Sequence, residues 1–261
     1  NTHHIASPDG HIIVTFEVSK KGEIFYRIVR GGEVVLSQSR LGLKLKDVPD
    51  MITGFSVASI RRNTVSESWN PVWGEESVIE NNYNEMALDL VQKKIAPGRE
   101  ISVVFRVFND GVGFRYEFPR QAQLGDFVIM DELTEFTFAD NHTSWSLPVE
   151  GIRFYEGLFR ELPIDKIGLH IALHEANLTD FAAMNVRATP GSNVLRAALT
   201  PWSSGEKVFV TGVRVSPWRT LIIADNASNM MLSRLMLNLN EPCRIMDTSW
   251  IKPQRYLGVW W

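Results

Sequence analysis

Apolar and polar residues alternate most regularly near the middle of the chain. In Ile101–Phe108 apolar residues recur at every second position, the period of a strand that places one face in a core. Asn109-Asp110-Gly111 then supplies residues that tolerate the backbone angles of a tight turn. Beyond the turn, Phe114, Tyr116 and Phe118 share one face. The pattern predicts a long antiparallel hairpin with an aromatic inner face, at the centre of a large β-sheet.

Shorter segments with the same period lie on both sides of this hairpin, separated by turn sequences. Strands and turns at near-regular spacing are typical of an all-β sandwich or barrel. Asn226–Leu232 fits one short turn of helix, and Trp69–Glu80 and Asn141–Pro148 are predicted loops. We therefore predict an all-β, antiparallel fold. The predicted strands are His11–Val18, Ile24–Val29, Val34–Leu36, Leu41–Leu45, Phe55–Ile60, Met86–Lys94, a pair within Asp126–Phe138, Ile167–Leu173, Leu195–Leu199, Val208–Val215, Thr220–Ala224 and Leu235–Leu239.

Composition narrows the classes of partner. The chain has 261 residues, of which 44% are hydrophobic and 22% charged, so it can bury a sizeable core. A net charge of −3 argues against nucleic acid, because binding phosphates requires a dense Lys and Arg surface. No apolar run is long enough to predict a membrane span. Cys243 is the only cysteine, so no intrachain disulfide is expected.

The C-terminal residues have an unusual character. The stretch from Ser249 leads into an apolar, aromatic strand pattern that stops at Trp260 and Trp261 without a polar tail. Exposed tryptophans at a terminus are uncommon unless something buries them. The pattern predicts that the chain is a fragment, cut where a second domain begins, with 1–248 as the β-domain and 249–261 as its exit.

Two histidines and one glutamate near the end of a predicted strand are candidates for chemistry. His170 and His174 have the spacing of a helical metal site, but on a strand they would lie roughly 13 Å apart, too far to share one ion. Glu175 follows them where the strand gives way to a loop. A solvated carboxylate is the simpler interpretation from the residues alone, since a calcium ion takes about six to eight oxygen ligands.

Three tryptophans in predicted loops suggest carbohydrate contacts. Trp69, Trp73 and Trp145 offer flat indole faces that can stack on sugars, and Glu75 is close enough in sequence to bond hydroxyl groups. Packing at the ends of a sandwich explains each tryptophan equally well. The sequence contains no Ser-His-Asp order, phosphate-binding glycine loop or cysteine cluster.

Several stretches taken together resemble the N-terminal domain of glycoside hydrolase family 97, bacterial α-glucosidases and α-galactosidases. Each match is short, but their order extends over nearly the whole chain. The similar stretches are Ser7-Pro8-Asp9-Gly10, Ser39-Arg40-Leu41-Gly42, Trp73-Gly74-Glu75, Asn109-Asp110-Gly111, Phe114-Arg115-Tyr116, His174-Glu175-Ala176-Asn177-Leu178, Ser249-Trp250-Ile251-Lys252-Pro253 and Trp260-Trp261.

The resemblance implies an architecture and a division of labour. It implies a galactose-mutarotase-like β-super-sandwich followed by a catalytic (β/α)8 barrel, whose first strand Trp260 and Trp261 would open. It implies that the catalytic carboxylates lie on the barrel, so none is expected here. It also implies an active-site calcium ion, with Glu175 as the ligand from this domain, and an exported, periplasmic protein.

The resulting hypothesis is a non-catalytic domain of a calcium-dependent α-glycosidase that acts on oligosaccharides. It would pack on its own catalytic barrel, form one wall of the sugar pocket with Trp73, Glu75 and Trp145, and supply Glu175 to calcium. One alternative is a free-standing carbohydrate-binding module. Another is an aldose-epimerase-like enzyme with His170 or His174 as the acid.

Overall fold

Antiparallel strands make up almost all the regular structure of the protein. The computed structural model describes residues 1–93, 95, 98–140, 142–146, 155–158, 168–252, 255 and 257–259, with the backbone alone for 143–146 and 155–158. The elements in this part of the chain are β1 (Thr2–Ala6), β2 (Ile12–Val18), β3 (Ile24–Arg30), β4 (Glu33–Leu41), β5 (Leu43–Leu45), β6 (Phe55–Trp69), β7 (Ile79–Gln92), β8 (Arg99–Phe108), β9 (Gly111–Phe118), β10 (Phe127–Glu132), β11 (Glu135–Thr137), β12 (Thr143–Ser146), β13 (Tyr155–Leu158), β14 (His170–Ala176), β15 (Met184–Ala188), β16 (Val194–Leu199), β17 (Val208–Val210), β18 (Arg214–Val215), β19 (Trp218–Ala224), α1 (Ala227–Leu232) and α2 (Leu235–Asn238).

The predicted hairpin is confirmed, and it lies at the centre of the largest sheet. Strands β8 and β9 pair from Ser102–Glu117 to Phe108–Gly111. The sheet runs β14-β19-β9-β8-β7-β6, with β18 also paired to β9. Smaller sheets, β1-β2-β3-β4, β17-β10-β5 and β11-β16-β15, complete the sandwich, and β12 pairs with β13.

The main core lies between the inner face of the large sheet and the smaller sheets. Phe105 and Phe114 of the hairpin are fully buried there, with ring centroids 5.6 Å apart. Tyr26 of β3 packs 4.8 Å from the Phe114 ring, so one aromatic cluster joins two sheets. This arrangement confirms the aromatic inner face that the alternating pattern predicted.

The outer face of the large sheet is also covered at its centre. Trp218 and Ile222 of β19 are buried together with Leu235 and Leu239 from the α2 region. Strand β19 is therefore buried at every position, as expected of a strand enclosed on both faces. Gly111 shows how closely the elements approach, because a Cβ atom there would lie 2.1 Å from the Leu221 carbonyl oxygen.

Several local predictions were wrong. Leu235–Leu239 was predicted as a strand, but residues 235–238 form α2, because the apolar residues there cover a sheet rather than join one. The predicted loop at 141–148 contains β12. Strands β10 and β11 were predicted as a pair, yet each pairs with other strands. The short helix predicted within 226–232 is confirmed as α1.

The exit segment remains a prediction. No strand is assigned among its described residues, 249–252, 255 and 257–259, and Trp260 and Trp261 lie outside the described residues. In the part of the chain that is described, no helix is long and apolar enough to cross a membrane.

Candidate functional site

Glu175 lies inside β14 as its penultimate residue, and not in the loop that follows the strand. Its cross-strand partner is Arg219 of β19. Both residues share a face with Leu173 and Leu221, which belong to the main core, so the Glu175 side chain points towards the inter-sheet layer. The interpretation as a solvated carboxylate is therefore wrong.

Glu175, Arg219 and Glu132 form a buried ionic cluster that we call the Glu-Arg-Glu cluster. The Nε and Nη2 atoms of Arg219 donate to the two oxygens of Glu132, at 3.0 and 2.6 Å. Its Nη1 atom donates to Oε2 of Glu175 at 2.8 Å. The side chains of Arg219 and Glu132 are 0% exposed, whereas that of Glu175 is 10% exposed.

Neighbouring groups fix the open end of this cluster. The backbone N–H of Met184 donates to both oxygens of Glu175, at 3.0 and 3.1 Å. The Phe181 ring lies 5.9 Å from the Arg219 guanidinium, on the segment that joins β14 to β15. The Glu175 carboxylate is therefore held in one orientation by two strands and a backbone amide.

Burial and neighbouring charges set the pKa values of Arg219 and of the nearby Tyr116. Complete burial by itself lowers the pKa of Arg219, but the Glu132 and Glu175 carboxylates outweigh that effect and raise the pKa above its usual range. Burial also raises the pKa of Tyr116, whose hydroxyl bonds Thr134 and the Gly42 N–H, far above its usual range. Arg219 therefore stays charged, and Tyr116 stays neutral.

The cluster can offer one ligand to a cation from outside the sandwich. A carboxylate has about four lone-pair sites, and the contacts from Met184 and Arg219 occupy three of those on Glu175. Glu132 is fully buried, and each of its two oxygens accepts a hydrogen bond from Arg219. Among the described residues, no group of three or more His, Cys, Asp or Glu side chains could hold a metal. The remaining ligands of any ion would have to come from another part of the protein.

The two histidines do not contribute to this site. His170 and His174 are exposed on β14, and alternation places them on the opposite face to Glu175. The Nδ1 atom of His174 lies 2.7 Å from the Glu175 carbonyl oxygen. The structure gives the epimerase alternative no convergent acid and base at these positions.

The loop that carries Trp73 and Glu75 is attached to the α1–α2 region rather than to β14. Trp69 is the last residue of β6 rather than a loop residue, and its Nε1 donates to Asn238 of α2 at 2.8 Å. Trp73 is 76% exposed, and Glu75 is exposed beside it. The neighbouring Glu76 forms an ion pair with Arg234, which attaches this loop to the α1–α2 junction.

The register of the large sheet separates this loop from Glu175. Pairing runs from Glu175 through Arg219, Phe114, Phe105 and Met86 to Arg62. Trp69 lies seven residues beyond Arg62 on β6, which is about 23 Å further along the strand. This register places Trp69 at a different level of the sheet from Glu175, and the shared pocket of Trp73, Glu75 and Glu175 stays a prediction. The Trp145 side chain lies outside the described part of the chain, so the prediction that it contacts sugar stays untested.

Sequence reasoning missed Glu132 and Arg219. The signal was a single charged residue in the otherwise uncharged, mostly apolar run Trp218–Ala224, which is buried at every position. An arginine in such a strand requires a buried carboxylate partner, because an unpaired buried charge is strongly unfavourable. The pattern does not reveal which carboxylate fills that role, since Glu132 lies 87 residues away.

Comparison with known proteins identifies the family. The model of the family described as Glycosyl-hydrolase 97 N-terminal matches residues 5–242. The chain is 26% identical to a probable retaining alpha-galactosidase of Streptomyces bingchenggensis, covering 92% of the chain and 38% of that protein. It is 21% identical to a retaining alpha-galactosidase of Bacteroides thetaiotaomicron, covering 98% of the chain and 44% of that protein.

Solved structures agree with this match. A glycoside hydrolase family 97 enzyme from Pseudoalteromonas sp. strain K8, in complex with acarbose, superposes with a TM-score of 0.88 at 32% identity. The similarity covers 96% of this chain and 40% of that one. The chain thus spans less than half the length of these relatives. The sequence match and the shared β-sandwich show that the chain belongs to the family of glycoside hydrolase 97 N-terminal domains.

Proposed function

We propose that the chain is the N-terminal β-sandwich of a calcium-dependent α-glycosidase that acts on oligosaccharides. In this role it packs on a catalytic barrel formed by the rest of the protein and supplies Glu175 to the active-site calcium ion. The domain itself is non-catalytic, and the carboxylates that cleave the glycosidic bond belong to the barrel. Export to the periplasm is part of the same proposal.

The observation that carries this proposal is the geometry of Glu175. Its carboxylate is fixed by Arg219 and the Met184 N–H, yet it remains 10% exposed and keeps one lone-pair site. Such a carboxylate can supply one oxygen to a calcium ion whose other ligands lie on a neighbouring domain. When bound, calcium would neutralise charge and orient the sugar. Glu175 would then hold the ion at the domain boundary.

The names of the relatives support the substrate class. The curated relatives are retaining alpha-galactosidases, and the family 97 enzyme from Pseudoalteromonas was solved with acarbose and, as an E480Q form, with panose. The shared feature is an α-linked sugar. We extend that class to this protein and leave the choice between α-glucosides and α-galactosides to experiment.

Hydrolysis assays test the proposal directly. The full-length protein should hydrolyse aryl α-glucosides or aryl α-galactosides, and a chelator should reduce its activity until calcium is restored. Glu175→Gln should require more calcium for half-maximal activity. A matched control is Glu76→Gln, because Glu76 lies in the loop attached to Arg234, remote from Glu175. Activity that is indifferent to both chelator and Glu175→Gln would contradict the calcium role.

The carbohydrate-binding alternative makes a different prediction. A free-standing module should bind a glycan through the exposed Trp73 without any catalytic domain. Calorimetric titration of the chain with maltooligosaccharides or galactosides distinguishes the two hypotheses. Binding that Trp73→Ala abolishes would favour the module.

A further inference from the structure

The Glu-Arg-Glu cluster carries one more negative than positive charge. Glu132 engages Arg219 with both oxygens, through Nε and Nη2, in a two-point ion pair. Glu175 has only the single contact with Nη1 at 2.8 Å. The two carboxylates share the single positive charge of Arg219, so the cluster as a whole keeps one negative charge.

Burial determines which of the two carboxylates a cation from outside can reach. The Glu132 and Arg219 side chains are 0% exposed, so neither can meet a ligand from outside. The Glu175 side chain is 10% exposed, which makes it the part of the cluster that a cation can reach. A buried surplus charge is unfavourable by itself, and a cation at its accessible end relieves that penalty.

From this arrangement we propose that Glu132 is a positioning residue for the cation site at Glu175. As the second carboxylate on Arg219 it gives the cluster a net negative charge, and Glu175 is the end of the cluster that a divalent cation can reach. Without Glu132, Arg219 and Glu175 would neutralise each other, and Glu175 would be a poorer ligand although its position is unchanged. This inference rests on the proposed calcium role of Glu175 and adds a specific function for Glu132.

The charge of the cluster can be varied stepwise without touching Glu175. The formal charge, with every carboxylate counted as ionised, is −1 in the parent, 0 in Glu132→Gln, −2 in Arg219→Gln and −1 in the variant that combines both substitutions. Where the buried Glu132 takes up a proton in Arg219→Gln, because it has lost its counter-charge, Glu175 still carries a full negative charge. Glutamine keeps hydrogen-bonding groups at each position, which limits the loss of buried polar contacts. Calcium affinity should follow this order of charge.

The experiment is a calorimetric calcium titration of the full-length protein after chelator treatment. Glu132→Gln should weaken calcium binding by about 10- to 100-fold, the range typical of residues that orient a ligand. The matched control is Glu135→Gln, which breaks the ion pair of Glu135 with Arg196 at 2.9 Å but leaves the cluster intact. The control should bind calcium like the parent.

The remaining two variants distinguish an effect of the cluster's charge on calcium affinity from an effect of lost side-chain contacts. Arg219→Gln should bind calcium no more weakly than the parent, and the combined variant should regain most of the affinity that Glu132→Gln loses. If Glu132→Gln binds like the parent, or if all three variants lose affinity alike, the inference is wrong. If Glu132→Gln does not fold, Arg219→Gln and the combined variant still decide the question.

Titration of the parent and of Glu175→Gln keeps the two claims apart. A parent that binds no calcium, or a Glu175→Gln variant that binds like the parent, contradicts the proposed function. A parent that binds, a Glu175→Gln variant that does not, and an unaffected Glu132→Gln variant contradict only the role of Glu132.

Discussion

Replacing Arg219 with methionine tests the energetic importance of the Glu-Arg-Glu cluster. The substitution keeps much of the side-chain volume but removes three charge-assisted hydrogen bonds, at 2.6, 2.8 and 3.0 Å. It leaves Glu132, which is 0% exposed, without a counter-charge. Removing one partner of a buried ion pair typically costs about 3–5 kcal/mol, because the other charge stays desolvated. That loss is large against the roughly 5–15 kcal/mol by which a domain is stable.

Scanning calorimetry of the 261-residue chain measures this effect. For a domain of this size, about 1 kcal/mol corresponds to a change of about 2–4 °C in the melting temperature, so the expected decrease is about 6–20 °C. Arg214→Met is the matched control. Arg214 pairs with Asp180 at 2.6 Å, but the Asp180 side chain is 81% exposed, so that ion pair should contribute about 1 kcal/mol or less. Equal melting temperatures for the two variants would show that the buried Glu-Arg-Glu cluster contributes no more to stability than an exposed ion pair.

Three further outcomes are expected. Partial burial opposes ionisation of Asp89, but hydrogen bonds from Arg61, Ser59 and Ser102 lower its pKa from 3.8 to about 2. The difference in unfolding free energy between the parent and Asp89→Asn should therefore be constant above about pH 5 and shrink between about pH 4 and 2. Acid denaturation that shows a constant difference would contradict this. Gly111→Ala should lower the unfolding free energy by about 1–3 kcal/mol or more, because the Cβ would lie 2.1 Å from the Leu221 carbonyl oxygen, whereas the space around Gly10 is open and Gly10→Ala should cost about 1 kcal/mol. The isolated chain should not hydrolyse aryl α-glycosides, and turnover that persists through further purification would place catalytic groups in this domain.

The strands could be predicted from the sequence where alternation and turn chemistry agreed. The β8–β9 hairpin shows this agreement, because its apolar period and the Asn109-Asp110-Gly111 turn indicate the same structure. The α2 helix shows where the apolar pattern indicated the wrong element. Its leucines pack on the outer face of the large sheet, a tertiary contact that a short apolar run does not reveal.

The candidate site was predictable only in part. The calcium role of Glu175 came from the family resemblance, whereas the predicted strand ended at Leu173 and placed Glu175 in a loop rather than within β14. Its ion pair with Arg219 depends on a pairing between strands that are 44 residues apart, and Glu132 enters from a different sheet. Local sequence patterns carry no information about such distant pairings, so the burial of Glu175 was not foreseen. Glu175→Gln is therefore expected to lower the free energy of unfolding by about 1 kcal/mol, since Arg219 keeps its contacts with Glu132.

A crystal structure of the full-length protein grown with calcium tests the calcium role of Glu175 most directly. A calcium ion is expected at the boundary between this domain and the catalytic barrel. One Glu175 oxygen should lie about 2.3–2.6 Å from the ion, with the other ligands contributed by the barrel or by water. In that structure Arg219 should keep its two-point contact with Glu132. An occupied calcium site that excludes Glu175, or a Glu175 carboxylate sealed inside the sandwich, would show that Glu175 is not a calcium ligand.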